Sequence, residues 1–256
     1  MATYKKKGSK PSTKEERKNH VEEESTTAEV FNTLDEGAGR TEEWVAENQK
    51  WIYIIVALAA VVALGYLGWQ RFIQEPKELE ASNEMFQSQQ YFDSALAGSG
   101  AQSDSLYNMA LNGGEGKYGF LDIIENYGST NAGNLAHYYA GFAYLNTNKY
   151  QEAIDHLEDF DGEDEILSAL AVGGVGDAFL QLNQPEEALN YYEKAATMRS
   201  NEFTAPRFLL KAATTAIQLG EGEKAAEYLN RIKDEFANTP EANKVAIYLG
   251  RAEAMK

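Results

Sequence analysis

The longest apolar run of the chain covers residues 51–70, WIYIIVALAAVVALGYLGWQ, and contains no charged residue. Twenty helical residues at about 1.5 Å each span about 30 Å, the thickness of a bilayer hydrocarbon core. Trp51 and Tyr53 stand at one end and Tyr66 and Trp69 at the other, as is typical of membrane interfaces. The run lacks the polar face of a buried core helix and the N-terminal position of a cleaved signal. It predicts a single uncleaved transmembrane helix.

The charges on either side of this run indicate its orientation. Residues 1–20 carry seven bases and two acids, whereas residues 71–256 carry 14 bases and 29 acids. The bases nearest to the run are balanced, with two on each side. Because a short basic tail resists translocation and a long acidic domain does not, we expect the N-terminus in the cytoplasm and residues 71–256 in the periplasm. The expected location is therefore a bacterial inner membrane.

Residues 1–50 form the expected cytoplasmic tail. Residues 1–25 are mainly Lys, Glu, Ser and Thr, so we expect them to be disordered. Their basic cluster is either a topology signal or a contact for anionic lipid head groups or ribosomal RNA. Residues 26–50 predict short amphipathic helices, whose apolar side chains have no core of their own and are free to contact a membrane surface or a partner. The candidate contacts are Phe31, Leu34 and Trp44.

The sequence of residues 71–256 repeats itself. The segments 144–153 (YLNTNKYQEA), 179–188 (FLQLNQPEEA) and 216–225 (AIQLGEGEKA) align, and their last alanines are 35 and 37 residues apart. Each unit contains two amphipathic stretches joined by a short polar turn. Such a unit cannot bury its apolar face alone, so the pattern predicts stacked helix pairs and an all-α fold.

Particular positions within these units resemble the tetratricopeptide repeat (TPR) family. A small residue recurs in the first helix, and an alanine in the second helix is followed four residues later by a large side chain. The matching residues are Gly141, Gly176 and Ala213, then Ala153, Ala188 and Ala225, then Leu157, Tyr192 and Leu229. The third unit departs with Ala216 where the others have Tyr144 and Phe179, and the family's closing proline occurs only as Pro240.

The resemblance implies a TPR-type helical solenoid after the membrane helix. Its repeats would cover about 134–168, 169–205 and 206–240, with a capping helix at 241–256. Before them we expect an irregular first unit at 71–133. In that unit the pattern predicts a helix over 77–94 and a second helix near 119–128, separated by a Gly/Ser-rich connection at 97–117 that we expect to be disordered or loosely packed.

Composition excludes several classes of function. The chain has no cysteine, so it has neither a disulfide framework nor a thiolate metal site nor a thiol nucleophile. Its net charge of −17 argues against DNA binding, because phosphate contacts need clustered Lys and Arg. The mean hydropathy of −0.49 excludes a polytopic membrane protein.

Three patterns that superficially suggest a binding site do not predict one. The segment 113–118 (GGEGKY) resembles a phosphate loop but has Leu111 in place of the first glycine. The acids of residues 158–165 do not have the spacing of a calcium loop and predict a solvated turn between repeats. His137 and His156 lie on different predicted helices and favour an ordinary surface or packing role. We therefore predict no enzymatic activity, metal or cofactor.

In TPR arrays the first helices of the repeats line a concave groove, which here would be a protein-binding surface. Its principal candidates are Leu135, Tyr138, Phe142, Leu145, Leu180, Arg207, Leu210 and Ile217, with Asn146, Leu170, Gly173, Asp177, Gln181, Thr214 and Gln218 beside them. Chaperone-binding relatives clamp a terminal carboxylate with several Lys and Asn residues. Because only Arg207 is basic in this set, we expect a partner helix or an unfolded apolar segment instead. Alternatively, neighbouring helices cover several of these side chains.

One anchor followed by an exported acidic TPR domain resembles the YfgM family of ancillary subunits of the bacterial SecYEG translocon. That resemblance implies a non-enzymatic adaptor that pairs with a PpiD-like membrane-anchored chaperone and contacts nascent polypeptides. The long basic tail leaves open an added contact with the ribosome. The alternative is a structural scaffold for envelope assembly or cell division that binds another envelope protein.

Overall fold

The computed structural model describes residues 44–198 and 201–255. The chain divides into two units, residues 1–69 and residues 70–256. In the described part every regular element is a helix, and the β-type pairing found there is an isolated bridge between Gly114 and Lys117. The predicted all-α fold class is confirmed.

The described part of the first unit is one helix, α1, over residues 44–69. An 18-residue window of the helical stretch Trp44–Ala97 has a mean hydropathy of 2.2, and none of that window is buried. The stretch is long and apolar enough to cross a membrane. Trp44, a candidate contact of the tail, lies at its start and is 59% exposed. The other two candidates, Phe31 and Leu34, lie outside the described residues, as does the segment that we expect to be disordered.

The second unit begins with a π-helical turn, Gln70–Gln74, and its described residues continue with ten α-helices. These are α2 (Glu75–Ala97), α3 (Ala101–Asn112), α4 (Phe120–Tyr127), α5 (Asn131–Asn146), α6 (Tyr150–Asp159), α7 (Glu165–Gln181), α8 (Pro185–Thr197), α9 (Ala205–Leu219), α10 (Gly222–Glu235) and α11 (Ala242–Glu253).

Helices α2, α3 and α4 pack on one another and on α5, and aromatic rings form the centre of their shared core. The ring of Phe92 on α2 lies edge-to-face with Tyr107 at 5.5 Å and with Tyr139 at 5.2 Å between centroids. Phe120 at the start of α4 stacks on Tyr139 at 5.2 Å. Such rings bury large apolar areas, so they fix these three helices against the first repeat.

Helix α3 corrects the expectation that residues 97–117 are disordered or loosely packed. Ala110 and Leu111 are fully buried, and Tyr107 is 4% exposed. The hydroxyl of Ser103 donates a hydrogen bond of 2.7 Å to the carbonyl of Ala95, which joins α3 to the end of α2. The glycines and serines around the helix are typical of a loop, but the apolar side chains within it recur at helical spacing. Burial against α2 decides the outcome.

Helices α5 to α10 form three antiparallel pairs whose close crossings require the small residues identified in the sequence. A Cβ atom on Gly141 would lie 2.5 Å from Leu157 Cγ, and one on Gly176 would lie 2.7 Å from the Tyr192 ring. In the third pair both Ala213 and Leu229 are fully buried. Helix α11 packs on α10 and α9 and follows the last pair. A TPR-type solenoid is therefore confirmed.

The turn inside each pair has the same backbone geometry. One residue of each turn has a left-handed backbone conformation. It is Asn148 in the first pair (φ 60°), Asn183 in the second (φ 59°) and Gly220 in the third (φ 81°). The following amide donates back to a carbonyl near the end of the first helix: Lys149 to Tyr144 at 2.9 Å, Gln184 to Phe179 at 2.9 Å, and Glu221 to Ala216 at 2.8 Å. Asn and Gly are the residues that tolerate this conformation at a helix C-terminus. The third unit thus keeps the turn although Ala216 departs from the family pattern.

Candidate functional site

The first helices of the three pairs, α5, α7 and α9, carry the predicted groove residues, and we call their common surface the groove face. A cleft of about 450 Å³, here the central cleft, opens on it. Five of the predicted residues line this cleft: Leu145, Asn146, Asp177, Leu180 and Gln181. Asn146 and Gln181 are exposed, and the two leucines are half-buried.

A second opening, the terminal cleft of about 470 Å³, lies between α9 and α11. Three predicted groove residues, Arg207, Leu210 and Thr214, line it. Its other wall comes from Lys244 and Tyr248 of α11, which no alignment of the repeats assigns to the groove.

The remaining principal candidates pack inward. Leu135, Tyr138, Phe142 and Ile217 are half-buried and lie against the buried core clusters. The Tyr138 ring lies 4.8 Å from Phe142 and 5.3 Å from Phe160 between centroids. Burial raises the pKa of Tyr138 to about 12, while the nearby Arg207 opposes that shift. Substitution of these side chains would affect stability as well as binding.

The structure corrects two further expectations, the position of Gly173 in the groove and the number of cations there. Gly173 is buried, and a Cβ atom there would lie 1.9 Å from the ring of Phe208, so it supports the α7–α9 contact instead of lining the groove. Arg207 is not the sole cation of the groove face, because Lys211 lines both clefts. Its spacing of four residues from Arg207 is the sequence signal that places both on one helix face.

Lys211 belongs to a polar network that joins consecutive repeats. It forms an ion pair with Asp177 of α7, and its Nζ lies 5.5 Å from the ring centroid of Tyr192 on α8. The Tyr192 hydroxyl donates a 2.7 Å hydrogen bond to the same carboxylate of Asp177. The pKa of Tyr192 is raised, by burial first and by Asp177 second. The network keeps the floor of the central cleft charged and ordered.

The acidic segment 158–165 serves local structure. Asp164 Oδ1 accepts hydrogen bonds of 2.8 Å from the backbone amides of Ile166 and Leu167, so Asp164 caps α7. Glu158 accepts a hydrogen bond from the Tyr191 hydroxyl of α8 and thereby joins two repeats. Among the described residues, no group of three or more His, Asp or Glu side chains has a geometry that would hold a metal ion.

The two histidines of the first repeat are in contact. His137 Nδ1 and His156 Nδ1 are 3.2 Å apart, and the ring of His156 stacks on Tyr144 at 5.3 Å between centroids. Burial lowers the pKa of both rings, and His137 lowers that of His156 further. The pair is a packing contact of the kind predicted, but its mutual hydrogen bond was not anticipated.

Two segments match family models described as tetratricopeptide repeat, residues 135–161 and residues 179–246. The first match covers most of α5 and all of α6, and the second runs from the end of α7 into α11. No curated protein and no solved structure is significantly similar to the chain. Repeats of this kind indicate a protein–protein interaction adaptor and are generally scaffolds without enzymatic activity.

Proposed function

We propose that this chain is a membrane-anchored adaptor, an ancillary translocon subunit that recruits a periplasmic chaperone and assists exported proteins. The observation that carries the adaptor role is the pair of open clefts on the groove face, which adjoin at Lys211. One extended or helical segment that passes over Lys211 would therefore contact residues of both clefts, from α5 to α11.

The lining of the central cleft suits a polypeptide ligand. The half-buried Leu145 and Leu180 supply apolar contacts, and the exposed amides of Asn146 and Gln181 supply donors and acceptors beside them. Asp177 and Lys211 also line this cleft, where they form an ion pair with each other. Amide side chains beside leucines suit the backbone and the apolar side chains of a peptide.

The finer assignment to a translocon rests on architecture. A single apolar helix followed by a TPR array resembles the YfgM family, whose partners are the SecYEG translocon and a PpiD-like chaperone. The proposal includes the orientation expected from the basic tail, with the N-terminus cytoplasmic and the repeats periplasmic.

Site-specific photo-crosslinking in bacterial cells tests the proposal. A photoreactive residue replaces Gln181, which is exposed and lines the central cleft. The matched control replaces Asn190, which is exposed on α8 and lines neither cleft. We expect crosslinks from position 181 to translocon subunits, to a membrane-anchored chaperone or to nascent exported chains, and none of these from position 190.

Two results would contradict the proposal. Equal crosslinking from both positions would remove the groove face from the interaction. Recovery of envelope-assembly or division proteins alone, without translocon subunits or chaperone, would favour a structural scaffold instead.

A further inference from the structure

The terminal cleft concentrates positive charge in an acidic domain. Residues 71–256 contain 14 bases against 29 acids. Three of those bases line this one cleft: Arg207 and Lys211 of α9 and Lys244 of α11. A fourth, Arg251, stands beside it, with its guanidinium carbon 5.5 Å from the ring centroid of Tyr248.

Helical spacing explains why these cations converge. Arg207, Lys211 and Thr214 are four and three residues apart, and so all lie on one face of α9. Lys244, Tyr248 and Arg251 have the same spacing and form the corresponding row on α11. Because α9 and α11 are packed together, the two rows border the same cleft.

Three of these four cations, Arg207, Lys244 and Arg251, lack a counter-ion within the described part of the protein. Lys211 pairs with Asp177, whereas Arg207 and Lys244 form no ion pair with any described residue. Glu202 and Glu241 also line the cleft, but they precede α9 and the first turn of α11 and do not approach these cations within salt-bridge distance. Like charges that share a cleft repel, and an anion between them would relieve the repulsion.

Apolar side chains stand beside the cations. Phe203 is 59% exposed at the mouth of the cleft, and Leu210 and Tyr248 are half-buried in its walls. An exposed phenylalanine next to unpaired cations suits a ligand that has both carboxylates and an apolar anchor.

We propose that the terminal cleft binds an acidic peptide segment that carries an aromatic or large aliphatic residue between its carboxylates. The proposal rests on the adaptor function of the groove face and specifies the chemistry of one ligand. The carboxylates pair with Arg207, Lys244 and Arg251, and the apolar residue packs on Phe203 and Tyr248. A flat anionic membrane fits less well, because the cleft is recessed between two helices.

Fluorescence anisotropy with the full chain in neutral-lipid nanodiscs tests whether the terminal cleft binds an acidic peptide. The probe is a labelled seven-residue peptide with two acidic residues on each side of one phenylalanine. The comparison peptides are one with lysines in place of the acids and one with serine in place of phenylalanine. We expect the probe to bind in a salt-dependent manner and both comparison peptides to bind at least about tenfold more weakly.

Two variants in the cleft and one control variant outside it locate the site. Lys244→Glu should weaken probe binding by at least about tenfold, since it replaces a charge-assisted contact with repulsion. Lys117→Glu makes the same change of charge at an exposed position outside the cleft and should leave binding unchanged. Phe203→Ser, at an exposed position that does not hold the fold, should lower affinity for the probe to that for the serine peptide.

The outcomes separate this inference from the proposed function. If the probe fails to bind, or if Lys244→Glu and Lys117→Glu reduce its binding equally, the acidic-peptide site is overturned, while crosslinking from position 181 still tests the adaptor role. If phosphatidylglycerol vesicles bind through Lys244 and the probe does not, the cleft recognises lipid and the proposal is wrong. Binding of the probe without crosslinks from position 181 would leave the site standing and reject the translocon assignment.

Discussion

The hydroxyl of Tyr192 on α8 donates a 2.7 Å hydrogen bond to Asp177 on α7, within one repeat. Tyr192 is 1% exposed, so its hydroxyl depends on this acceptor. Asp177 also pairs with Lys211 of the following repeat. One carboxylate therefore links the interior of a repeat to its neighbour.

The two partners of this hydrogen bond should differ in how much their removal lowers the free energy of unfolding. Asp177→Ala leaves a buried hydroxyl without an acceptor and should lower the free energy of unfolding by about 1–3 kcal/mol. Tyr192→Phe removes the hydroxyl and leaves Asp177 paired with Lys211, so its cost should be about 1 kcal/mol or less. Urea unfolding of the detergent-solubilised chain, followed by far-UV circular dichroism, measures both. A larger loss for Tyr192→Phe would show that the network does not act in this way.

Two helical glycines provide a matched test of helix packing. A Cβ atom at Gly173 would lie 1.9 Å from the Phe208 ring, whereas one at Gly250 would meet nothing within 4 Å. Gly173→Ala should therefore destabilise the array by about 1–3 kcal/mol through overpacking. Gly250→Ala should be neutral or stabilising by up to about 1 kcal/mol, because alanine favours the helix. Thermal unfolding of the two variants under one condition compares them, and similar midpoints would be inconsistent with the packing at Phe208.

Much of this fold was predictable because close helix crossings require small residues, which recur in the sequence at the repeat spacing. Gly141, Gly176 and Ala213 are small since a larger side chain would displace the facing helix, and that requirement produces the repeat. Helix α3 has no such recurring small residue. Its stability comes from burial against α2 and α4, which no spacing of small residues announces, and its flanking glycines are typical of a loop.

A substitution inside α3 tests whether the helix belongs to the core. Leu111 is fully buried, so Leu111→Ala should cost about 2–5 kcal/mol. Leu96, near the end of α2, is 59% exposed, and Leu96→Ala should change stability by less than about 0.5 kcal/mol. Urea midpoints of the two variants provide the comparison. An effect of Leu111→Ala as small as that of Leu96→Ala would mean that residues 97–117 are loosely packed after all.

The candidate site was only partly accessible from the sequence. Alignment of the repeats assigned Leu145, Leu180 and Leu210 to the groove face, where they line clefts. It could not assign Lys244, because α11 lies beyond the last aligned unit. The alignment also could not show that Phe142 is half-buried and lines neither cleft. The burial of Phe142 depends on how closely α5 and α7 approach each other.

The histidine contact predicts a dependence of stability on pH. The pKa values of His137 and His156 are lowered in the folded state, so below about pH 6.5 the unfolded chain binds more protons than the folded chain. The free energy of unfolding should therefore be fully retained above pH 6.5 and fall as the pH drops toward the lowered pKa values. Urea midpoints at pH 7.5 and pH 5.5 measure the loss.

The His156→Asn variant serves as the control for this loss. Asparagine removes one titrating ring and its repulsion of His137, so the difference between the two pH values should shrink. Asp155 and Asp159, which face the pair and raise the pKa of His156, are unchanged in the variant. An unchanged difference would assign the pH dependence to other groups.

Protease accessibility tests the proposed orientation of the chain. In spheroplasts, added protease should degrade residues 71–256 and leave the N-terminal tail intact, as detected with a tag at each end. Disruption of the inner membrane should then expose the tail. Protection of the repeat domain in intact spheroplasts would reverse the proposed topology.

Helices outside the repeat pattern occupy both ends of the array, with α2–α4 packed on α5 and α11 packed on α9 and α10. A repeat array can in principle lengthen by duplication of its terminal unit. Here a new unit at either end would have to displace a helix that is already packed. We therefore expect length variants of this protein to gain or lose units between α5 and α10. Such a change would alter the distance between the two clefts and leave the helices at both ends of the array unchanged.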